Sequence, residues 1–121
     1  MSETNTRRKI LVIDDSQMLL GFAKEVLTGA NYDVLTAPSG REGVDIAAQH
    51  PPELILLDYV LPDMKGMDVT SRLRENGATS NVPIIFMTGF GHRAAPGEIS
   101  GNVIASLNKP FVPHGGMMVS A

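Results

Sequence analysis

Four short apolar runs in this chain end in residues that can do chemistry. Ile10-Leu11-Val12-Ile13 runs into Asp14-Asp15, and Leu54-Ile55-Leu56-Leu57 runs into Asp58. Ile84-Ile85-Phe86-Met87 runs into Thr88-Gly89, and Ala105-Ser106-Leu107-Asn108 runs into Lys109-Pro110. Clustered carboxylates bind hard cations through oxygen. A carboxylate is a weak nucleophile but can carry a phosphoryl group as an aspartyl phosphate. An ammonium pairs with phosphoryl oxygens as a point charge, a threonine hydroxyl can donate to another, and a glycine lets backbone approach closely. Together the set suits a divalent cation and a phosphoryl group.

Such chemistry requires the four chain positions to meet. Apolar runs of this length read as strands buried on both faces, hence as a parallel sheet. Parallel strands carry their C-terminal ends to one edge, where ligands bind in open α/β sheets. The patterning predicts strands over about 9–14, 32–37, 54–58, 83–88 and 103–108. Helices are expected over about 16–29, 40–49 and 66–75 between them. Ser16 and Ser39 are the expected caps, and Gly29 and Pro51-Pro52 the stops. Leu19, Leu20, Phe22, Ala23, Val26 and Leu27 form the apolar side of the first helix. The alternation predicts a doubly wound α/β domain with helices on both sheet faces.

The segment 89–102 breaks the pattern: it holds four glycines and Pro96, and its apolar residues lack helical spacing. A loop or a single poor turn is expected there. Only ten residues follow Phe111, including Gly115-Gly116, so a fifth helix is truncated, at most about two turns.

A chain of 121 residues suits one domain, read as 1–121 with residues 1–8 frayed. The net charge of −3 argues against direct nucleic-acid binding. The absence of cysteine rules out disulfides, thiolate chemistry and a cysteine zinc site, and fits a cytoplasmic location. No run approaches membrane-spanning length.

The ordered set Asp14-Asp15, Asp58, Thr88-Gly89 and Lys109-Pro110-Phe111 resembles the receiver domain of two-component response regulators, over about 9–111. The resemblance implies a flavodoxin-like five-stranded parallel sheet of order 2-1-3-4-5. It implies that Asp58 is the phosphoacceptor and that Asp14, Asp15, Asp58 and the backbone carbonyl of Val60 hold Mg2+, with Mn2+ an alternative. It further implies that Thr88, Gly89 and Lys109 meet the phosphoryl group. The donor would be a sensor histidine kinase or a histidine phosphotransfer protein, docking on the first helix near Met18, Leu19 and Phe22; the downstream protein partner is left open. Such a domain catalyses its own phosphorylation and dephosphorylation without being a conventional metabolic enzyme.

Within that family, Pro83-Ile84-Ile85-Phe86-Met87-Thr88-Gly89-Phe90 partly resembles the PFxFATG[GY] motif of the FATGUY single-domain regulators. Ile84, Met87 and Phe90 depart from it, while Ser106 agrees with that group's lack of the usual switch aromatic. Val60 and Phe90 stand where family members tune water attack on the acyl phosphate; both are apolar, so slow self-dephosphorylation is expected. With the switch aromatic missing, the expected output is an order–disorder change in which Mg2+ and phosphorylation draw Thr88 and the loop 89–102 into a defined conformation.

Structural roles compete with these readings: Asp15 can cap a helix, Asp63 can be exposed or capping, and His92 and Arg93 read as solvated loop residues. A haloacid-dehalogenase-like phosphatase needs a second aspartate where Val60 stands, and a flavin-phosphate loop would not carry Asp14-Asp15. The alternatives retained are a pseudo-receiver that binds partners without phosphorylation and the receiver portion of a hybrid histidine kinase.

Overall fold

The computed structural model describes residues 7–89, 94–109, 111–114 and 117–120. The expectations placed on Phe90, His92, Arg93 and Pro110 fall outside the described residues.

Five strands, β1 (Lys9–Ile13), β2 (Asp33–Ala37), β3 (Leu54–Asp58), β4 (Ile84–Thr88) and β5 (Val103–Asn108), form one sheet of order β2-β1-β3-β4-β5. Every pairing is parallel, as the apolar runs and the family resemblance imply. The register sets Ile13 beside Ala37 and Leu57, Asp58 beside Met87, and Thr88 beside Asn108. The strands therefore end nearly level, and the residues that follow them share one edge.

The helices α1 (Gln17–Gly29), α2 (Gly40–Gln49) and α3 (Gly66–Glu75) keep the expected limits. Ser16 Oγ accepts from Leu19 N at 3.1 Å, and Ser39 Oγ from Glu42 N at 3.2 Å, so each cap satisfies a donor that the helix leaves free. α2 stops at His50, before Pro51-Pro52. Gly29 is the last helical residue of α1, but the turn that ends it is made at Asn31, with φ of 75°. Tyr32 N then donates to Leu27 O, and asparagine tolerates that left-handed conformation.

Side-chain alternation along β1 divides the core. Ile10 and Val12 join Leu19, Leu20, Val34 and Met87 on the α1 face. Leu11 and Ile13 join Ala47, Val69, Leu73, Ile55, Leu57 and Phe86 on the face of α2 and α3. The helices thus lie on both faces, as the doubly wound pattern requires. The apolar stripe predicted for α1 is only partly used, since Val26 is 51% exposed.

Past β4 the fold thins. Among the described residues the connection to β5 holds one 3-10 turn, Pro96–Glu98, in agreement with the poor turn expected there. Ala94 and Ile99 pack against the α2/α3-face core. Ile104 makes a bulge in the β4–β5 ladder, and Leu107 is 52% exposed. Among the described residues no fifth helix follows, not even the truncated one expected: the chain enters an antiparallel pair, β6 (Phe111–His114) with β7 (Met117–Ser120). The intervening Gly115-Gly116, read above only as a helix breaker, is also a hairpin signal. Arg8 O accepts from Asp33 N, and Arg7 Nε donates to Asn31 Oδ1, so the chain is tied down before β1 begins.

Two glycines inside helices make opposite predictions. A Cβ on Gly43 of α2 would lie 2.4 Å from Cδ1 and 2.8 Å from Cγ1 of Ile13, which is fully buried. A Cβ on Gly21 of α1 would meet nothing within 4 Å. Gly43→Ala is expected to lower stability by about 1–2 kcal/mol, because overpacking outweighs the helix-propensity gain. Gly21→Ala is expected to raise it by about 0.5–1 kcal/mol. Urea unfolding midpoints of the two variants should move in opposite directions.

Candidate functional site

Asp14 follows β1, and Asp58 closes the adjacent β3; both side chains are buried. Asp14 Oδ1 accepts from Ser16 N at 2.8 Å, and Asp14 N donates to Ala37 O, which fixes the carboxylate at the strand end. Asp15 is exposed beside it. Helix α1 is capped by Ser16, so Asp15 is not the cap that a strand-ending aspartate often is. Asp58 Oδ1 accepts from Val60 N at 3.2 Å. Oxygen atoms of Asp14, Asp15 and Asp58 can all lie within 4.8 Å of one another.

Lys109 crosses from the end of β5 to this acidic group. Its ammonium stands 3.0 Å from Asp14 Oδ2 and 3.2 Å from Asp58 Oδ2. Its backbone N–H donates to Thr88 O at 2.9 Å, which anchors the β5 end to the β4 end. The contact to Asp58 has hydrogen-bond geometry. Asp14 Oδ2 is held at ion-pair distance but has no aligned donor. Three carboxylates with one ammonium leave the pocket rich in negative charge, and the buried Asp14 oxygen is ion-paired without an aligned hydrogen-bond donor. The donor set is all oxygen, which fits a hard divalent cation. A cavity of about 170 Å³ beside it is lined by Asp15, Asp58, Tyr59, Val60, Gly89 and Lys109.

Burial, followed by the charge of Asp14, pushes the Asp58 carboxyl up from 3.8 to about 6, against the opposing pull of Lys109 and Val60 N–H. Burial also acts to lower the Lys109 pKa, but its bond to Asp14 and the charges of Asp14 and Asp58 outweigh this and hold it above its ordinary value. The lysine is therefore charged at neutral pH.

Most of the predicted site residues converge. Asp14, Asp15, Asp58 and Lys109 form the charged group, while Val60 and Gly89 border the cavity. Thr88 is buried at the same edge, but its hydroxyl donates to Leu107 O at 3.2 Å and lies 3.4 Å from Asn108 Oδ1. It is turned toward β5, not toward Asp58. Asp63 is capping, across the fold: its two oxygens accept from Gly40 N and Arg41 N at 3.0 Å each, holding the start of α2.

Two residues near the site were not singled out in the sequence, Tyr59 and Glu98. The Tyr59 hydroxyl donates to Glu98 Oε1 at 2.6 Å, across 39 positions in the chain. No local pattern announces such a pair.

Comparison with known proteins agrees with this geometry. The family model described as the response regulator receiver domain matches residues 10–115. The polar-differentiation response regulator DivK of Brucella ovis is 27% identical over 105 residues, covering 86% of this chain and 85% of that protein. The chemotaxis response regulator CheY4 of Vibrio cholerae superposes with a TM-score of 0.79 at 28% identity, over 89% of this chain and 91% of that one. The N-terminal domain of a response regulator receiver protein from Methanoculleus marisnigri JR1 gives 0.77 at 29% identity, over 85% of each chain.

Proposed function

The chain belongs to the response regulator receiver domain family, and on that premise we propose that Asp58 is the phosphoacceptor of a single receiver domain spanning residues 1–121. The observation that carries the assignment is the bridging of Asp14 and Asp58 by the Lys109 ammonium, at 3.0 and 3.2 Å, beside the open cavity. Asp58 is the strand-ending carboxylate that both meets the lysine and lines that cavity. Its oxygen would attack the phosphorus of the donor; the bond from phosphorus to the donor's imidazole nitrogen breaks as the bond to Asp58 forms. Lys109 would leave its two carboxylates to pair with a phosphoryl oxygen. Thr88 would rotate from Leu107 O to donate to another, and Gly89 leaves room for the group.

Asp14, Asp15, Asp58 and the carbonyl of Val60 are the residues that would hold Mg2+, with Mn2+ a substitute. A divalent cation there supplies charge neutralisation for the transferring group. Receiver domains take phosphoryl groups from histidine kinases or phosphotransfer proteins, and we assign this chain a partner of that class. Met18, 50% exposed on α1 near the site, is available for docking, and Phe22 partly so, whereas Leu19 is buried. Among the described residues no helix is long and apolar enough to cross a membrane; a cytoplasmic location remains part of the proposal.

Incubation with acetyl phosphate, followed by intact mass and phosphate-affinity electrophoresis, tests the reading. A gain of one phosphoryl group that needs Mg2+, disappears with a chelator and is absent in Asp58→Asn is the expected result. A chain that binds Mg2+ yet gains no phosphoryl group would be a pseudo-receiver.

A further inference from the structure

Tyr59 follows Asp58 and is fixed on three sides. Its backbone N–H donates to Met87 O at 2.9 Å, and its carbonyl accepts from Gly66 N at 2.7 Å. Its ring meets Phe86 edge to face, with centroids 5.5 Å apart. The hydroxyl is thereby aimed at the β4–β5 connection, where Glu98 Oε1 accepts from it at 2.6 Å and from Ala95 N at 2.7 Å. One carboxylate oxygen thus joins the Pro96–Glu98 turn to the strand that bears Asp58. A second tie lies farther along: Arg74 of α3 donates to Asn102 Oδ1 at 2.7 Å and to Ser100 O at 3.0 Å.

These bonds alter the expected output mechanism. The whole loop 89–102 was expected to become defined on phosphorylation, but residues 94–102 are already held by Tyr59 and Arg74. Thr88 and Gly89 lead into the same connection in which Glu98 lies, and in this arrangement the Thr88 hydroxyl is bonded to Leu107 O, away from Asp58. We propose that the Tyr59–Glu98 hydrogen bond is a latch that holds residues 94–98 in the arrangement seen with Thr88 turned toward β5, and that it opens when Thr88 and Gly89 are drawn to a phosphoryl group on Asp58. The proposal rests on the phosphoacceptor reading above. It adds two positioning residues, neither of which touches the reacting atoms. A contact made in one arrangement and lost in the other biases the balance between them by its own strength.

The test uses the full chain with Tyr59→Phe, which keeps the ring against Phe86, Glu98→Ala, and Glu98→Gln, which keeps an acceptor oxygen. Amide exchange over residues 94–102, measured without a phosphoryl donor, is expected to quicken roughly three- to tenfold in Tyr59→Phe and Glu98→Ala. Phosphorylation by acetyl phosphate with Mg2+ is expected to quicken by a similar factor in both, and Glu98→Gln should stay near wild type. The Tyr59→Phe/Glu98→Ala double variant should match Glu98→Ala, because Glu98→Ala already removes the one bond that Tyr59→Phe removes. Unchanged exchange, or effects that multiply in the double variant, would overturn the latch. Faster exchange with an unchanged phosphorylation rate would also overturn it, leaving the bond a structural tie. A wild-type chain that takes no phosphoryl group would sink the phosphoacceptor reading itself. Wild-type uptake with all variants alike would sink the latch alone.

Discussion

Asp58→Asn is expected to take up no phosphoryl group and yet to be more stable than the wild-type chain at pH 7. Burial, then the charge of Asp14, raises the Asp58 carboxyl from 3.8 to about 6. A carboxyl raised in the folded state binds its proton more tightly there than in the unfolded chain. It therefore favours folding below about pH 4, and that contribution is lost as pH climbs from 3.8 through about 6. At pH 7 the ionised group opposes folding. Asparagine removes the charge while keeping the size and an oxygen that can accept from Val60 N–H. A shift of about two pKa units corresponds to roughly 3 kcal/mol. Solvent at the cavity mouth screens part of this, so about 1–2 kcal/mol remains. Urea unfolding at pH 7 and pH 4 checks the prediction: the advantage of Asp58→Asn should be present at the first and nearly gone at the second. Added Mg2+ should narrow or reverse the ranking, because the wild type offers three carboxylates and the variant two. A variant less stable than wild type at pH 7 would mean that the Asp58 carboxylate serves chiefly to anchor Lys109.

That conflict between stability and chemistry is also why so much of the site is legible in the sequence. A carboxylate that ends a buried strand without a local counter-charge is costly, so Asp58 after four apolar residues already points to something beyond the strand. The same holds for Asp14 and for Lys109, whose partners lie on other strands. Strand and helix limits are set by local physics, by caps at Ser16 and Ser39 and stops at Pro51-Pro52, and the observed elements follow them closely. What sequence reading does not reach is the contact that depends on the assembled fold. Asp63 holds the start of α2 from 23 residues away, and Tyr59 meets Glu98 from 39. The rotation of the Thr88 hydroxyl toward Leu107 O depends on the β4–β5 register, which a bulge at Ile104 displaces. The antiparallel pair after Lys109 was within reach, since Gly115-Gly116 between two short runs carries the signal of a hairpin as well as of a helix stop.

Lys109→Met tests the other half of the charged group, and its effect should run opposite to that of Asp58→Asn. The ammonium lies 3.0 Å from Asp14 and 3.2 Å from Asp58, and its side chain is 13% exposed. Methionine fills much of the same volume without charge, so the principal loss is the counter-ion to two buried carboxylates. Removing one partner of such a group is more damaging than the worth of the pair, because the remaining charge stays buried and unpaired. A loss of about 2–3 kcal/mol is expected at pH 8, a fall in melting midpoint of roughly 6–12 °C. The pH dependence has a definite sign. A lysine whose folded pKa is raised above 10.5 contributes its full stability below that value and loses it only as pH rises higher, so its contribution is whole at pH 8. Without the lysine, Asp58 loses the influence that lowers its pKa, and protonation relieves the strain at a higher pH than in the wild type. The deficit of Lys109→Met should therefore shrink as pH falls from 8 to 5. Mg2+ should raise its melting midpoint more than that of the wild type, since the cation then meets the carboxylates with no ammonium among them. If Lys109 also meets the phosphoryl group, phosphorylation by acetyl phosphate will stay roughly 10²-fold slow after Mg2+ has restored stability. Recovery of rate together with stability would reduce the lysine to a counter-ion of the resting site and leave the transferring group to the cation and Thr88.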